Sequence, residues 1–430
     1  MLAIVVMMVF GGSIPGLGAT IAIGAIGLIL LGTVAVTDRR MALLAQPLPF
    51  RLGLAGIALL PLIQIIPLPP SLWQALPGQA LRIRTLSLAG LADTWQPLSV
   101  TPLFTAQAAV IAIVFVALVR LLLVLSVIEI RRVAWLILAL IGVNIAIGLV
   151  QVASGGQVLR FYSAADHGAL LGFYTNKNHA AMVLAASLPI AAYVLGSREK
   201  TQGTRTWVAL IAGVVLVALV TTNSRAGIVL GVAAILLLGS LYVRAIKPIH
   251  AVVIVAAGIG ILLLVSSTAA FEQVFNRFDA VDEDLRWQFL WTSRPLIERY
   301  WLWGSGIGSF STLYAVGENL AWVKPTFVNQ LHNEYPQLLL ETGIPGALVF
   351  ASVIAGLIWR GILVCKDGTA AKRLPVFFGA IIIALIAVHS GVDYPLRRPA
   401  VLPILALAII LVIRGDLNAS TGVARRRQRN

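Results

Sequence analysis

Long, unbroken apolar runs dominate this chain, and polar stretches separate them. The runs fall at about 1–13, 17–37, 52–67, 104–126, 133–152, 179–196, 207–221, 226–243, 250–267, 336–359, 375–391 and 399–413. Most come near the roughly 17–25 residues that an α-helix needs to cross a hydrocarbon core about 30 Å thick. Lipid offers open backbone groups no partners, so only helices or a closed barrel can span it. Barrel strands alternate over short segments, whereas these runs are continuous. The pattern predicts an all-α polytopic membrane protein of about 12 transmembrane helices, folded as a single membrane domain over residues 1–430. The first run is short for a span, and its opening, "MLAIVVMMVFGG", lacks the basic n-region and small-residue cleavage site of a secretory signal.

Polar residues between the runs give the topology. One alternating set of connections holds Arg39, Arg40 and Arg51; Arg131 and Arg132; Arg198, Lys200 and Arg205; Arg244 and Lys247; and Arg360, Lys366, Lys372 and Arg373. The tail, residues 414–430, adds Arg414, Arg425, Arg426, Arg427 and Arg429. Basic residues stay inside, so this set and both termini are expected in the cytoplasm. Two long segments then face outward: a first outer loop, 68–103, and a large loop, 268–335, between the ninth and tenth spans. Within the second, "DEDLRWQFLWTSRPLIERYW" (282–301) reads as an amphipathic helix lying on the outer surface. Asp282, Glu283 and Asp284 suit its N-terminus. Leu285, Phe289 and Leu296 form its apolar face, and Trp287, Trp291, Trp301 and Trp303 are rings of the kind that settle among lipid headgroups. "GSGIGSF" (304–310) follows as a turn; with no preceding strand it carries no dinucleotide reading.

Composition narrows the function. The chain is 59% apolar and 11% charged, which argues against a soluble fold. Its net charge of +15 lies mostly in connections between spans, so no nucleic-acid partner is expected. A single cysteine, Cys365, leaves no internal disulfide, and no Cys/His spacing suits zinc. There is no Walker A loop, and "DED" at 282–284, the nearest approach to a metal-binding acidic pair, is explained by helix capping. Acidic residues are almost absent from the runs, which argues against a proton-coupled carrier. No cofactor and no metal are expected.

The remaining polar residues gather on the outer side. In "FVNQLHNEYPQ" (327–337), Pro336 is tolerated only in a first helical turn, so the tenth span starts near Asn333–Pro336 with Asn333 as its cap. His332 then stands at the mouth of a helix N-terminus. The dipole there disfavours imidazolium and attracts anions, which suits a ring that accepts a proton. A histidine that only hydrogen-bonds a neighbour is the other reading. Arg225, in "VTTNSRAGIVLG", sits in a tight outer turn, where a guanidinium can chelate phosphate or reach the headgroups. Arg286, on the loop helix, also reads as an ordinary surface arginine. Asn176, Lys177, Asn178 and His179, in "GFYTNKNHAA", form a polar rim that could hold sugar hydroxyls or phosphate; Asn178 equally suits a plain helix cap. Asp393 with Arg397 and Arg398, in "HSGVDYPLRRP", reads as a loop ion pair.

These segments together resemble a known family. "HNEYPQLLLETGIPG" looks like the His-Asn-Glu pattern with a trailing Glu-x-Gly-x-x-Gly of the O-antigen ligase and polymerase superfamily. "TNSRAG", "GFYTNKNHAA", "WQPLSVTP" and the loop helix with its Gly-x-Gly turn are each similar to that family's corresponding segments. The resemblance implies a type C glycosyltransferase-like fold with a large periplasmic loop carrying amphipathic helices, in the bacterial inner membrane, with the site facing the periplasm. It implies an undecaprenyl-pyrophosphate-linked glycan as donor and lipid A-core or a lipid-linked glycan as acceptor. It gives Arg225 and Arg286 the departing pyrophosphate, and His332 the acceptor hydroxyl, in a metal-independent, inverting transfer. Asn176, Lys177, Asn178, His179, Asn333, Glu334 and Tyr335 are then expected to bind substrate. A ligase-like transfer to lipid A-core is the first expectation, and a polymerase joining lipid-linked repeats the alternative; transfer to a protein also stays open. A lipid-linked oligosaccharide transporter, from another class, should carry polar groups at mid-membrane and on both sides, and here only Arg120 in the fourth span departs from one side.

Overall fold

The computed structural model describes residues 1–13, 16–36, 40–162, 168–196, 202–242, 285–318 and 328–414. They form α1 (Leu2–Phe10), α2 (Leu17–Val36), α3 (Arg40–Leu44), α4 (Leu48–Ile65), α5 (Pro70–Trp73), α6 (Ala80–Leu88), α7 (Pro102–Val124) and α8 (Val127–Ala153). These are followed by α9 (Lys177–Gly196), α10 (Gln202–Thr221), α11 (Arg225–Tyr242), α12 (Leu285–Tyr300), α13 (Phe310–Gly317), α14 (Glu334–Asp367), α15 (Ala370–Ser390) and α16 (Leu402–Arg414). Among the described residues the only strands are β1 (Pro67–Leu68) and β2 (Gln96–Pro97), an antiparallel pair. Every predicted run except 250–267 coincides with a helix. That run, the acidic start Asp282–Asp284 and the tail beyond Arg414 lie outside the described residues.

Among the described residues six helices are long and apolar enough to cross a membrane: α4, α7, α8, α9, α14 and α15. Shorter apolar helices lie within α2, α10 and α11 and over Pro399–Arg414. Helix α9 runs through the middle, against α8, α10, α11 and α15. Its small residues let neighbours approach closely. A Cβ on Gly227 of α11 would fall 2.1 Å from the Ala181 Cβ of α9, so the two helices cross almost backbone to backbone. That crossing, one turn into each helix, sets the N-terminus of α11 beside that of α9.

The described parts of the two long loops fold as a cap. Leu296, Tyr300, Phe310, Tyr314, Leu331 and Leu340 form a small core of their own. As expected, the helix over 285–300 buries Leu296 and exposes Trp287 and Trp291; Trp301 and Trp303 are exposed too. In the first loop Trp73 is fully buried and donates from Nε1 to the Thr94 carbonyl (3.1 Å). The Tyr300 hydroxyl, donating to the Gly78 carbonyl at 2.8 Å, joins the two loops.

Gly343 breaks α14, with φ 60° and ψ −160°. The break frees the Glu341 carbonyl, which accepts from Gly306 N (2.9 Å) and Gln64 Nε2 (2.8 Å), and Ile344 N donates to the Leu302 carbonyl (3.2 Å). The Gly-x-Gly turn is thereby docked into an interrupted membrane helix. This conformation is open almost only to glycine, and a Cβ would lie 2.6 Å from the Leu302 oxygen. Gly343→Ala is expected to cost about 1–3 kcal/mol or more, seen as a lower unfolding temperature in detergent. An unchanged transition would show that the break is not needed.

Candidate functional site

Four pieces of chain meet at one end of the bundle: the starts of α9, α11 and α14, and the α15–α16 connection with its 3-10 turns Pro395–Arg397 and Pro399–Val401. The approach to α9 is irregular yet buried at Ala169–Tyr174, which is tolerable only if protein groups satisfy its backbone. Two polar side chains of α8 do so. Asn144 Oδ1 accepts from Phe173 N (2.7 Å), and Gln151 Oε1 accepts from Gly172 N (2.8 Å). Leu170 N donates to the Thr221 carbonyl at 2.8 Å.

The segment delivers Asn176 as the residue before α9. Its Oδ1 accepts from Asn178 N (2.8 Å), so Asn176, not Asn178, caps the helix. Asn178 is thereby released for tertiary work. Its Oδ1 accepts from Ser224 Oγ (2.8 Å), and its Nδ2 donates to Asp393 Oδ2 (2.7 Å). Ser224 also accepts from Gly227 N (3.1 Å) and so caps α11, whose first residue is Arg225. Arg225 and Lys177 are half-buried.

Asp393 is the hub, and reading it as the partner of Arg397 and Arg398 missed this. Its side chain is fully buried. Oδ2 accepts from Asn176 Nδ2 (3.2 Å) as well as Asn178, and Oδ1 from Tyr394 N (2.9 Å). His332 Nδ1 stands 3.3 Å and His179 Nε2 3.5 Å from the same Oδ1. Burial alone would push this carboxyl up, but the two histidines outweigh it and hold it well below the usual carboxylate range. Arg397 pairs instead with Glu341 (2.8 Å), whose other oxygen takes Phe310 N (3.2 Å) at the start of α13.

His332 takes φ 57°, a left-handed turn that tips its ring off the helix axis. The ring meets Tyr394 edge-on (4.8 Å between centroids) and lies 6.1 Å from Phe289 of α12. Its side chain keeps 24% exposure, with Nδ1 on the buried edge. Asn333 is the cap of α14 as expected, accepting from Tyr335 N (3.2 Å). Glu334 and Tyr335 turn toward α15. Glu334 is buried and accepts from Ser390 Oγ (2.7 Å) and Leu396 N (2.8 Å), while the Tyr335 hydroxyl donates to the Ala387 carbonyl (2.6 Å). Arg286 lies in the first turn of α12, one turn before Phe289; its side chain is outside the described residues. Thus His332, Asn176, Asn178 and His179 converge on one carboxylate, and Arg225 begins a helix tied to it through Ser224 and Asn178. The chemistry available is that of a partly open imidazole beside a buried aspartate, at one end of an apolar bundle.

Comparison with known families matches residues 207–351 to the family described as Wzy_C, O-Antigen ligase. The matched stretch contains Arg225, Arg286, His332 and the break at Gly343. It supports the O-antigen ligase superfamily, in agreement with the resemblance seen in the motifs. A comparison with curated proteins gives no match.

Proposed function

From this likeness to the O-antigen ligases, which indicates a membrane enzyme of glycosyltransferase type, we propose a specific reaction. The chain transfers a glycan from undecaprenyl pyrophosphate to a hydroxyl of lipid A-core, at the periplasmic face of a bacterial inner membrane. The observation that carries this reading is His332: a ring with Nδ1 beside a buried carboxylate, in a side chain that keeps 24% exposure. With Asp393 at Nδ1, the lone pair falls on Nε2. The acceptor hydroxyl gives its proton to Nε2 as its oxygen attacks the anomeric carbon. The bond from that carbon to the pyrophosphate oxygen breaks, and attack from the opposite face inverts the centre. Arg225 and Arg286 take the charge that grows on the departing pyrophosphate. Asp393 compensates the imidazolium that forms, as in other oriented-histidine sites. Lys177, between Asn176 and Asn178, and Asn333, next to His332, line the substrate path. Joining lipid-linked repeats into a polymer would use the same donor chemistry, with another lipid-linked glycan as acceptor.

The test is in vitro transfer from purified lipid-linked donor, with lipid A-core and excess donor offered as competing acceptors. Product on lipid A-core supports the ligase reading, and product only on donor moves it to polymerase. EDTA is expected to leave the rate unchanged, because arginines supply the charge in this scheme. A strict requirement for a divalent ion, or no transfer to either acceptor, overturns it.

A further inference from the structure

His179 is the first fully buried polar group behind the site, and nothing in the proposed reaction uses it. We infer that His179 is a positioning residue: Arg398 locks it as a neutral imidazole with its proton on Nε2, and in that form it holds Asp393 in line with His332 while touching neither glycan nor lipid. The inference rests on the catalytic role given to His332 above.

His179 is 0% exposed, in the first turn of α9. Its two nitrogens face different partners. Arg398 Nε donates to Nδ1 at 3.3 Å. Nε2 faces Asp393 Oδ1 at 3.5 Å, a long contact without hydrogen-bond geometry, in which an N–H toward the carboxylate is favoured over a lone pair by dipole alone. A guanidinium has no acceptor, and a carboxylate in this state has no donor. An imidazolium would set N–H against N–H on the Arg398 side. The neutral Nδ1–H form would repeat that clash and turn a lone pair on the carboxylate. One of the three protonation states fits both neighbours: Nδ1 bare, Nε2 protonated.

Arg398 can enforce this because it is itself fixed. It is 2% exposed, and its guanidinium lies over the Tyr394 ring at 4.9 Å. Tyr394 also meets both imidazoles edge-on, His179 at 4.9 Å and His332 at 4.8 Å, and so keeps them apart on either side of Asp393. Asn176 and Asn178 hold Oδ2 from the same helix end. With His179 the first turn of α9 grips both carboxylate oxygens, and the carboxylate cannot rotate away from His332.

The experiment uses the full chain in lipid nanodiscs with ¹⁵N-labelled histidine. Spectra of wild type against His179→Phe identify the His179 signals. At neutral pH the expected result is a bare Nδ1 and a protonated Nε2, and Arg398→Leu should let the Nδ1–H form appear. In the transfer assay, His179→Phe should lower kcat by about 10–100-fold, the usual cost of losing an orienting partner, with KM for the lipid-linked donor unchanged. His179→Gln, which can keep an N–H toward Asp393, should recover most of kcat. A doubly protonated His179, the opposite tautomer in wild type, or a raised KM with unchanged kcat overturns the inference. Once His179→Phe has assigned the signals, the wild-type spectrum needs no turnover, so it decides the tautomer even if no glycan is transferred, an outcome that would count against the proposed reaction instead.

Discussion

His332→Ala should abolish glycan transfer while leaving the protein folded. The ring accepts the acceptor's proton in the proposed scheme, and losing a general base removes about 10²–10⁴-fold of rate. Little in the fold depends on that ring. The cap of α14 is Asn333, the cap core is built from Leu296, Tyr300 and their neighbours, and His332 is partly exposed. One complication is the backbone, because a left-handed φ of 57° suits alanine less well than histidine. His332→Asn answers it, since asparagine accepts that conformation readily but cannot take up a proton at neutral pH. Both variants should bind lipid-linked donor as wild type does and fail at turnover. Normal transfer by His332→Asn would remove the base from the mechanism.

What could be read from the sequence was what is local. Apolar runs of helical length place α7, α8, α9, α14 and α15 because length and continuity decide a span without reference to the rest of the chain. Pro336 located the start of α14, and Asn333 its cap, for the same reason. The break at Gly343 was also within reach. Pro345 cannot donate to the Glu341 carbonyl and would crowd it in an unbroken helix, so the rule applied to Pro336 applies again nine residues on. Apolar residues on both sides hid it. Asp393 was harder, since its partners Asn176 and Asn178 lie more than two hundred residues away and only the tertiary fold brings them together. A signal did exist: Asn176, Asn178 and His179 are three polar side chains in one helical turn entering an apolar bundle, and such a group needs a buried partner. Glu334 and Tyr335, neighbours of His332 in sequence, turn their side chains to the end of α15, a contact that no local pattern signals.

Asp393→Asn should match the loss of His332 in rate and add a loss of stability that depends on pH. The carboxylate accepts from Asn176 and Asn178 at Oδ2 and from Tyr394 N at Oδ1, and the two imidazoles stand 3.3 and 3.5 Å from Oδ1. An asparagine there has one acceptor and one donor end. With its amide nitrogen toward Asn176 and Asn178, two donors face a third. With the nitrogen toward the histidines, His332 loses the acceptor that fixes its tautomer, and the lone pair needed at Nε2 is no longer assured. Either way kcat should fall by about 10²–10⁴-fold, and unpaired buried donors should cost about 1–3 kcal/mol. The pH dependence follows from the native carboxyl lying well below its usual range. The unfolded chain binds the proton at an ordinary aspartate value of about 3.9, so the stabilisation in wild type is full above that pH and is lost as pH falls through the lower native value. Asparagine has nothing to titrate. The gap in unfolding temperature between wild type and variant should therefore narrow in strong acid, as the wild-type carboxylate takes up its proton. A gap that widened on acidification would mean that Asp393 is protonated in the native site, and a neutral carboxyl could not orient His332 as proposed.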